Sequence, residues 1–168
     1  MGNDRDWNLM KVRIFLLALC LLLVCPAAYA GEYRVVAVSD GDTITVEPIQ
    51  GGDRTKVRLH GIDAPELRQP YGQAAKIFVI NTVLYKDVDI RPTPQGPDRY
   101  GRIVAIVHVP NYGILQELLL SAGLAWVYPA YCKDCSSWEA MQAEARRLRK
   151  GLWADESPVE PWEFRKRR

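Results

Sequence analysis

The apolar residues of this chain recur with two different periods, and the changes of period predict the order of strands and helices. Segments rich in alternating or β-branched residues predict five strands, namely two runs within residues 33–49 and single runs at 55–62, 87–92 and 102–109. Apolar residues at helical spacing predict three helices, over residues 70–85, 112–123 and 136–151. Residues 124–131 are interpreted as a short strand or an extended segment.

This order of elements indicates a small closed barrel. Three strands come first, then a helix, two strands and the remaining helices, so the chain lacks the β-α-β alternation of a parallel sheet. Five strands with a helix after the third match the OB-fold, which often binds nucleic acids or sugars. We therefore predict a mainly β fold with α-helices (α+β), a five-stranded OB-fold β-barrel with three helices.

The N-terminal residues have the features of a secretory signal. An unbroken apolar run at residues 14–24 follows Lys11 and Arg13, and small residues occur after it at Ala28 and Ala30. The run is shorter than the roughly 20 residues that a membrane-spanning helix needs. We predict cleavage after Ala30 and export to a periplasm or to the extracellular space, with an uncleaved anchor as the alternative.

These features divide the chain into three parts. Residues 1–30 form the predicted signal peptide, whether translation starts at Met1 or at Met10. Residues 31–153 form a single domain, which is long enough to bury one core. Residues 154–168 form a C-terminal tail that ends in "RKRR".

Bulk charge does not identify a nucleic-acid-binding protein. The chain has 22 basic and 20 acidic residues, a formal net charge of +2. The predicted signal peptide carries three basic and two acidic residues, so its removal leaves +2 − 1 = +1. Any binding site for an anion must therefore arise from a local cluster of charges.

The cysteines predict a local disulfide. Cys20 and Cys25 lie in the predicted signal peptide, which leaves Cys132 and Cys135. An exported protein enters an oxidising compartment, so a bond between Cys132 and Cys135 is the leading interpretation. Free thiols, a redox pair and a metal-binding pair are the alternatives.

Acidic residues cluster in two predicted turns. Asp40 and Asp42 lie in the turn "SDGDT", and Asp63 and Glu66 lie in "RLHGIDAPE" directly after the third predicted strand. If the second and third strands pair, their ends bring Asp42 near Asp63. Because carboxylates held together repel, a cation with oxygen ligands would stabilise them, and Ca²⁺ takes such ligands. Ordinary turn residues are the alternative.

Two arginines complete a set of groups suited to phosphoryl transfer. Arg58 lies in the strand that leads into the acidic loop, and Arg102 follows "DRYG". Guanidinium groups match phosphate geometry and stay charged. Glu66 could orient or deprotonate a water molecule. A solvated cross-strand role for Arg58 is the alternative.

Four motifs together resemble the staphylococcal nuclease family. "VSDGDTITV", "RLHGIDAPE", "DRYGR" and "LLLSAGLAWVY" occur in the order and approximate spacing of that family, over about residues 33–153. The resemblance implies an OB-fold barrel with three helices. It also implies a calcium-dependent phosphodiesterase that acts on DNA and RNA, preferably single-stranded, and leaves 3′-phosphate ends. A monomer without a stable protein partner is expected.

The resemblance implies roles for individual residues at the metal. Asp42 and Asp63 match the carboxylates that bind calcium, and Asp40 matches an acidic residue in the outer shell. Ala64 lies where the family supplies a backbone carbonyl to the metal; a threonine is familiar there, but a carbonyl ligand does not depend on the side chain.

The resemblance also implies catalytic and substrate-binding roles. Glu66 matches the proposed general base, and Arg58 and Arg102 match the arginines that bind the phosphate. Tyr128 lies close to where tyrosines pack against the nucleotide base, and Tyr131 is the other candidate. Stacking on an aromatic ring tolerates any base, as a nuclease without sequence specificity requires.

The chain departs from the family after "APE", where the loop "LRQPYGQAA" is short and lacks lysine. That departure leaves the preference between DNA and RNA open. A catalytically weak OB-fold module that binds nucleic acid is the first alternative function. An envelope-anchored structural protein is the second. The basic tail could contact phosphates or be a free terminus.

Overall fold

The computed structural model describes residues 32–132 and 135–167. The strands are β1 (Tyr33–Val38), β2 (Thr43–Pro48), β3 (Thr55–Leu59), β4 (Ile62–Asp63), β5 (Asp87–Pro92), β6 (Ile103–Val109), β7 (Gly113–Ile114) and β8 (Trp126–Val127). The α-helices are α1 (Gly72–Val83), α2 (Leu115–Ser121), α3 (Ser136–Arg147) and α4 (Pro161–Lys166). Single 3₁₀ turns occur at Pro129–Tyr131 and Gly151–Ala154. The signal-peptide prediction concerns residues outside the described ranges.

The five predicted strands form a closed barrel, as expected for an OB-fold. The strand order is β3-β2-β1-β5-β6-β7, and a parallel pairing of β3 with β6 closes the sheet. In that pairing Arg58 lies opposite Val104, which is two residues after Arg102 on the neighbouring strand. The antiparallel pairing of β2 with β3 sets Thr43 opposite Arg58. Closure therefore brings the "DGDT" turn, Arg58 and the "DRYGR" segment to one end of the barrel.

The predicted third strand, residues 55–62, is wrong as a single strand. β3 ends at Leu59, and the chain turns at Gly61 before β4 begins. Gly61 has a positive φ of 71°, and a Cβ atom there would lie 2.9 Å from the sulfur of Cys132. β4 then leaves the barrel and pairs with β8, with Asp63 opposite Trp126. This turn directs Asp63 back toward the end of the barrel that carries Asp42.

The core lies inside the barrel and under α1, α2 and α3. Its buried strand side chains alternate, as a period of two requires, and include Val35, Ile44, Val57, Leu59 and Val107, while α2 contributes Leu115 and Leu119. α3 adds Trp138 to this core. The disulfide predicted between Cys132 and Cys135 is present and lies immediately before α3.

The helix predicted over residues 136–151 ends early, at Arg147. Arg149 and Gly151 both have positive φ angles, of 52° and 51°, which an α-helix does not permit. The backbone at Gly151 packs directly on Gly123, the last residue of the predicted second helix, so neither position has room for a Cβ atom. This contact ends the helix and starts a 3₁₀ turn instead.

The C-terminal residues are folded onto the barrel domain. α4 follows Pro158, and its first residue, Pro161, is buried. The carbonyl of Val159 accepts a hydrogen bond from the buried side chain of Gln69, in the loop after the acidic motif. Within the described ranges, no helix is long and apolar enough to cross a membrane.

Candidate active site

Two buried carboxylates meet at one end of the barrel. Asp42 is the last residue of the turn between β1 and β2, and Asp63 is the last residue of β4. They are 7% and 1% exposed, respectively. One guanidinium joins them, because Nη1 of Arg58 lies 3.2 Å from Oδ2 of Asp42 and Nη2 lies 2.8 Å from Oδ1 of Asp63. The structure therefore brings together three residues that the sequence predicted to cooperate.

The backbone around Asp42 fixes its side chain. The Ala64 amide donates to Oδ2 of Asp42 at 2.7 Å, which ties the acidic loop to the "DGD" turn. Asp40 accepts a hydrogen bond from the Asp42 amide at 3.0 Å, so Asp40 supports the turn from outside. A Cβ atom at Gly41 would lie 2.7 Å from the Cβ atoms of Ala64 and Ala75. The turn is thus pressed against the acidic loop and the start of α1.

Burial makes Asp42 unusual. Loss of hydration raises the pKa of Asp42 to about 7, although the Arg58 guanidinium acts in the opposite direction. Asp40 and Asp63 raise the pKa further by repulsion, and the Ala64 amide lowers it. This pKa indicates that the neighbours of Asp42 only partly stabilise the ionised form of its carboxylate. A divalent cation would favour its ionised form.

Arg58 is held rigidly. Its Nη1 also donates to the backbone carbonyls of Leu59 and Ile62, both at 3.0 Å, and its side chain is only 15% exposed. The guanidinium therefore serves as an electrostatic link between the carboxylates in this structure.

Arg102 lies on the neighbouring edge of the same site. Its Nη1 donates to Oγ1 of Thr43 at 3.4 Å, and that hydroxyl donates to Oδ1 of Asp42 at 3.2 Å. The Nη2 atom of Arg102 also lies 2.6 Å from Oδ2 of Asp98. Desolvation alone would raise the pKa of Asp98, but hydrogen bonds from Arg102 and from nearby amides lower it overall. Asp98, which sequence reasoning missed, orients the guanidinium of Arg102.

Glu66 lies beside Asp63 at the surface of the site. Its side chain is 33% exposed, in contrast to the buried aspartates. Its amide donates to the side chain of Gln69 at 3.2 Å. Its carbonyl packs against Gly72 at the start of α1, where no Cβ atom would fit. The backbone of Glu66 is fixed, and its carboxylate is partly open to water, which suits a group that handles a proton.

The two predicted base-stacking tyrosines are neighbours. The ring centroids of Tyr128 and Tyr131 are 5.2 Å apart and the rings are tilted by 55°. Tyr131 is 63% exposed. The ring of Trp162, from α4, is stacked on Tyr128 at 5.1 Å with an interplanar angle of 21°. Tyr128 therefore contacts two aromatic rings, and Trp162 covers one of its faces.

α4 also contributes Arg165, which sequence reasoning missed. Its Nη2 lies 2.8 Å from Oδ2 of Asp63, and its Nη1 lies 2.8 Å from Oε1 of Glu66. Desolvation by itself would lower the pKa of Arg165, but the hydrogen bonds and charges of Asp63 and Glu66 raise it overall. The "RKRR" ending carried a basic signal, but nothing in its spacing related it to the acidic loop about 100 residues earlier.

The donor atoms fit a hard cation. In the described part of the chain, no three His, Cys, Asp or Glu side chains are grouped as a preformed metal cage. Asp42 and Asp63 offer carboxylate oxygens, and the buried residue Ala64, directly after Asp63, has a backbone carbonyl that could serve as a third oxygen ligand. Such a site would leave positions for water or substrate oxygens, as Ca²⁺ sites with six to eight oxygen ligands allow. It lacks the sulfur and imidazole ligands of a zinc site.

A family model described as "Staphylococcal nuclease homologue" matches residues 56–155. This range contains Arg58, Asp63, Glu66 and Arg102, and it begins after the "DGD" turn. It ends before α4.

Curated relatives match a larger share of the chain. An Escherichia coli protein named "Uncharacterized endonuclease" is 40% identical over 135 residues, which cover 80% of this chain and 85% of that protein. A Haemophilus influenzae protein of the same name is 38% identical over 158 residues, or 92% and 85% of the two chains. The "Micrococcal nuclease" of Shigella flexneri is 33% identical over 168 residues, or 94% of each chain.

Proposed function

This chain belongs to the staphylococcal nuclease family, and we propose that it is a calcium-dependent nuclease. In this proposal it hydrolyses phosphodiester bonds of DNA and RNA with little sequence specificity and leaves 3′-phosphate ends. The observation that carries the proposal is the guanidinium of Arg58, which bridges the buried carboxylates of Asp42 and Asp63. Arg165 in turn links Asp63 to Glu66. The names of its relatives support nuclease chemistry.

Asp42, Asp63 and the carbonyl of Ala64 would hold the Ca²⁺. When bound there, the ion would supply positive charge next to the phosphoryl oxygens. Asp40 would act indirectly, because its carboxylate holds the amide of Asp42. The burial that raises the pKa of Asp42 supports this assignment, since the ionised carboxylate lacks water to stabilise it.

The side chains of this chain would divide the chemistry among them. Glu66 would accept a proton from the attacking water. The water oxygen would bond to phosphorus while the bond from phosphorus to the 5′ oxygen breaks. The 5′ oxygen would leave with the bonding electron pair and take a proton from solvent, and Glu66 would return its proton to solvent. Arg58 and Arg102 would donate hydrogen bonds to the phosphate oxygens, whose charge grows in the transition state. Tyr128 and Tyr131 would stack on bases without reading them.

The test is hydrolysis of single-stranded DNA by the purified protein, with calcium and then with chelator. Arg102→Ala should lower kcat by about 10² to 10³-fold, the usual effect of removing one donor to the developing charge. Arg147→Ala is the matched control, because Arg147 forms a comparable but exposed pair with Glu144 on α3. Cleavage with chelator present, or unchanged cleavage by Arg102→Ala, would refute the assignment.

The alternative function makes a different prediction in the same assay. A catalytically weak OB-fold module would bind single-stranded DNA and leave it intact with every metal tested. The presence of Arg58, Glu66 and Arg102 together with both aspartates favours catalysis over this alternative. A folded protein that binds but never cleaves would reverse the preference.

We also propose that the protein is exported, with cleavage after Ala30. The apolar run at residues 14–24 supports this proposal, as does a disulfide between Cys132 and Cys135, which suits an oxidising compartment. N-terminal sequencing of the secreted form should give Gly31 as the first residue. A mature protein that keeps residues 1–30 would contradict it.

A further inference from the structure

The C-terminal helix α4 contacts the residues to which the proposed mechanism assigns three different tasks. Arg165 pairs with Asp63, a proposed cation ligand, and with Glu66, the proposed base, at 2.8 Å each. Trp162 is stacked on Tyr128, a proposed base-binding ring. Both α4 residues lie beyond residues 56–155, the region that the family model matches.

Arg165 and a divalent cation would compete for the same oxygen atoms. Oδ1 of Asp63 accepts from Arg58 at 2.8 Å and from Arg165 at 3.3 Å, and Oδ2 accepts from Arg165 at 2.8 Å. Both oxygens of this buried carboxylate are thus engaged by guanidinium groups. Oδ2 of Asp63 is engaged by Arg165 and Oδ1 mainly by Arg58, so an ion that binds Asp63 through Oδ2 would displace Arg165 and leave the contact with Arg58 in place.

Trp162 and a nucleotide base would compete in the same way for an aromatic face. Tyr128 has Trp162 stacked on one side at 5.1 Å and Tyr131 tilted against it at 5.2 Å. A base can stack on the face of Tyr128 that Trp162 covers only if Trp162 moves away. Trp162 is also anchored edge-on against Trp126, at 6.0 Å, so it is not a freely rotating side chain.

The attachment of α4 is suited to reversible release. Its helix has six residues, and the side chain of Arg165 is 42% exposed although its partner Asp63 is 1% exposed. The segment before it is held by the hydrogen bond from Gln69 to the carbonyl of Val159. A short helix with few buried side chains belongs to the low-stability end of a structure, where local opening occurs.

We propose that α4 is an intramolecular cap over the active site, which a divalent cation and single-stranded nucleic acid must displace. This inference rests on the proposed function of the site. The cap makes the protein a nuclease that is closed until calcium is plentiful. Closure lowers the apparent affinity for calcium by the fraction of open molecules, so a cap that is closed nine times in ten weakens binding about tenfold.

The test measures calcium binding by isothermal titration calorimetry, with nucleic acid absent. Arg165→Ala should bind calcium several-fold more tightly than the unmodified protein. Arg165→Gln is a second variant, whose shorter side chain is polar but uncharged, and it should have the same effect. Lys166→Ala is the matched control on the same helix, because Lys166 pairs with Glu163 at 2.7 Å and is 70% exposed. It should bind calcium like the unmodified protein.

Tryptophan fluorescence reports the displacement of the helix itself. Calcium should shift the emission of the unmodified protein to longer wavelength as Trp162 leaves Tyr128 for solvent. Trp162→Phe, which keeps an aromatic ring on Tyr128, should lose that shift while retaining the emission of Trp126, Trp138 and Trp153.

The possible outcomes distinguish failure of the cap proposal from failure of the proposed nuclease function. Equal calcium affinity in the unmodified protein, Arg165→Ala and Lys166→Ala would overturn the cap and leave the nuclease assignment intact. Weaker binding by Arg165→Ala would also overturn it, since Arg165 would then assist the site. Calcium binding without a Trp162-dependent shift would overturn the displacement of α4. Absence of calcium binding in every variant would overturn the proposed calcium dependence, and the cap with it.

Discussion

Replacement of Arg58 by alanine should destabilise the protein strongly when metal is chelated and less when calcium is present. Arg58 is 15% exposed, and its two partners, Asp42 and Asp63, have side chains that are 9% and 1% exposed. Removal of one member of a buried ion pair costs about 3–5 kcal/mol, because the remaining charge stays buried without compensation. Asp63 would keep its ion pair with Arg165, so the loss of a compensating charge would be largest at Asp42.

That free energy is a large part of the stability of a typical domain, which is about 5–15 kcal/mol. For a domain of this size it corresponds to a decrease in Tm of roughly 10 °C. Calcium bound at Asp42 and Asp63 would replace the missing positive charge. At a concentration of 100 times Kd, the ion would add about 2.7 kcal/mol to the free energy of unfolding of either protein. Calcium would therefore reduce the difference between them only as far as Arg58→Ala binds the ion more tightly, by about 1.4 kcal/mol for each tenfold in Kd.

The assay is urea unfolding of Arg58→Ala and the unmodified protein, each with chelator and with calcium. Arg54→Ala is the matched control, because Arg54 pairs with Glu47 at 3.1 Å but is 69% exposed. An exposed pair of this kind contributes about 0–1 kcal/mol. A loss in Arg58→Ala no larger than in Arg54→Ala, or a loss that calcium does not reduce, would refute the reasoning.

Three further perturbations test other parts of the site. Asp98→Ala should leave Arg102 unoriented and lower kcat more than it raises KM; steady-state kinetics measure both, and an unchanged kcat would remove Asp98 from the positioning role. Replacement of both Cys132 and Cys135 by serine should lower the free energy of unfolding by about 2 kcal/mol, as expected for so short a loop. Urea titration measures this loss, and equal stability of the variant would contradict the prediction. Gly41→Val should separate the "DGD" turn from the acidic loop and cost about 1–3 kcal/mol, with a loss of calcium affinity in calorimetry; normal affinity would contradict it.

The barrel and the meeting of the carboxylates were predictable because both follow from the pairing of adjacent strands. β2 and β3 are joined by a short loop, so Thr43 lies opposite Arg58, and the turn before β2 reaches the loop after β3. Periodicity alone could not show where the third strand ends. Residues 55–62 keep an apolar pattern through Ile62, while the break depends on the positive φ of Gly61 and its contact with Cys132.

The length of the last predicted helix was wrong for a related reason. The pattern over residues 136–151 is consistent with a helix, and Gly151 is a common terminator. The helix ends at Arg147 because the backbone at Gly151 packs against Gly123. A contact between segments that are 28 residues apart leaves no local signal in either sequence.

The role of the C-terminal residues was beyond sequence reasoning, but the structure gives their basic character a physical reason. On the sequence alone, the cluster of Asp42, Asp63 and Glu66 is interpreted as a set of carboxylates that needs a nearby positive charge. In the folded protein two guanidinium groups supply that charge, Arg58 from the barrel and Arg165 from α4. Arg58 is held by backbone carbonyls and is permanent, whereas Arg165 is nearly half exposed at the end of a six-residue helix. Arg165 would therefore leave the carboxylates more readily than Arg58. Exchange of a metal ion for Arg165 would cost less free energy than exchange of the ion for Arg58.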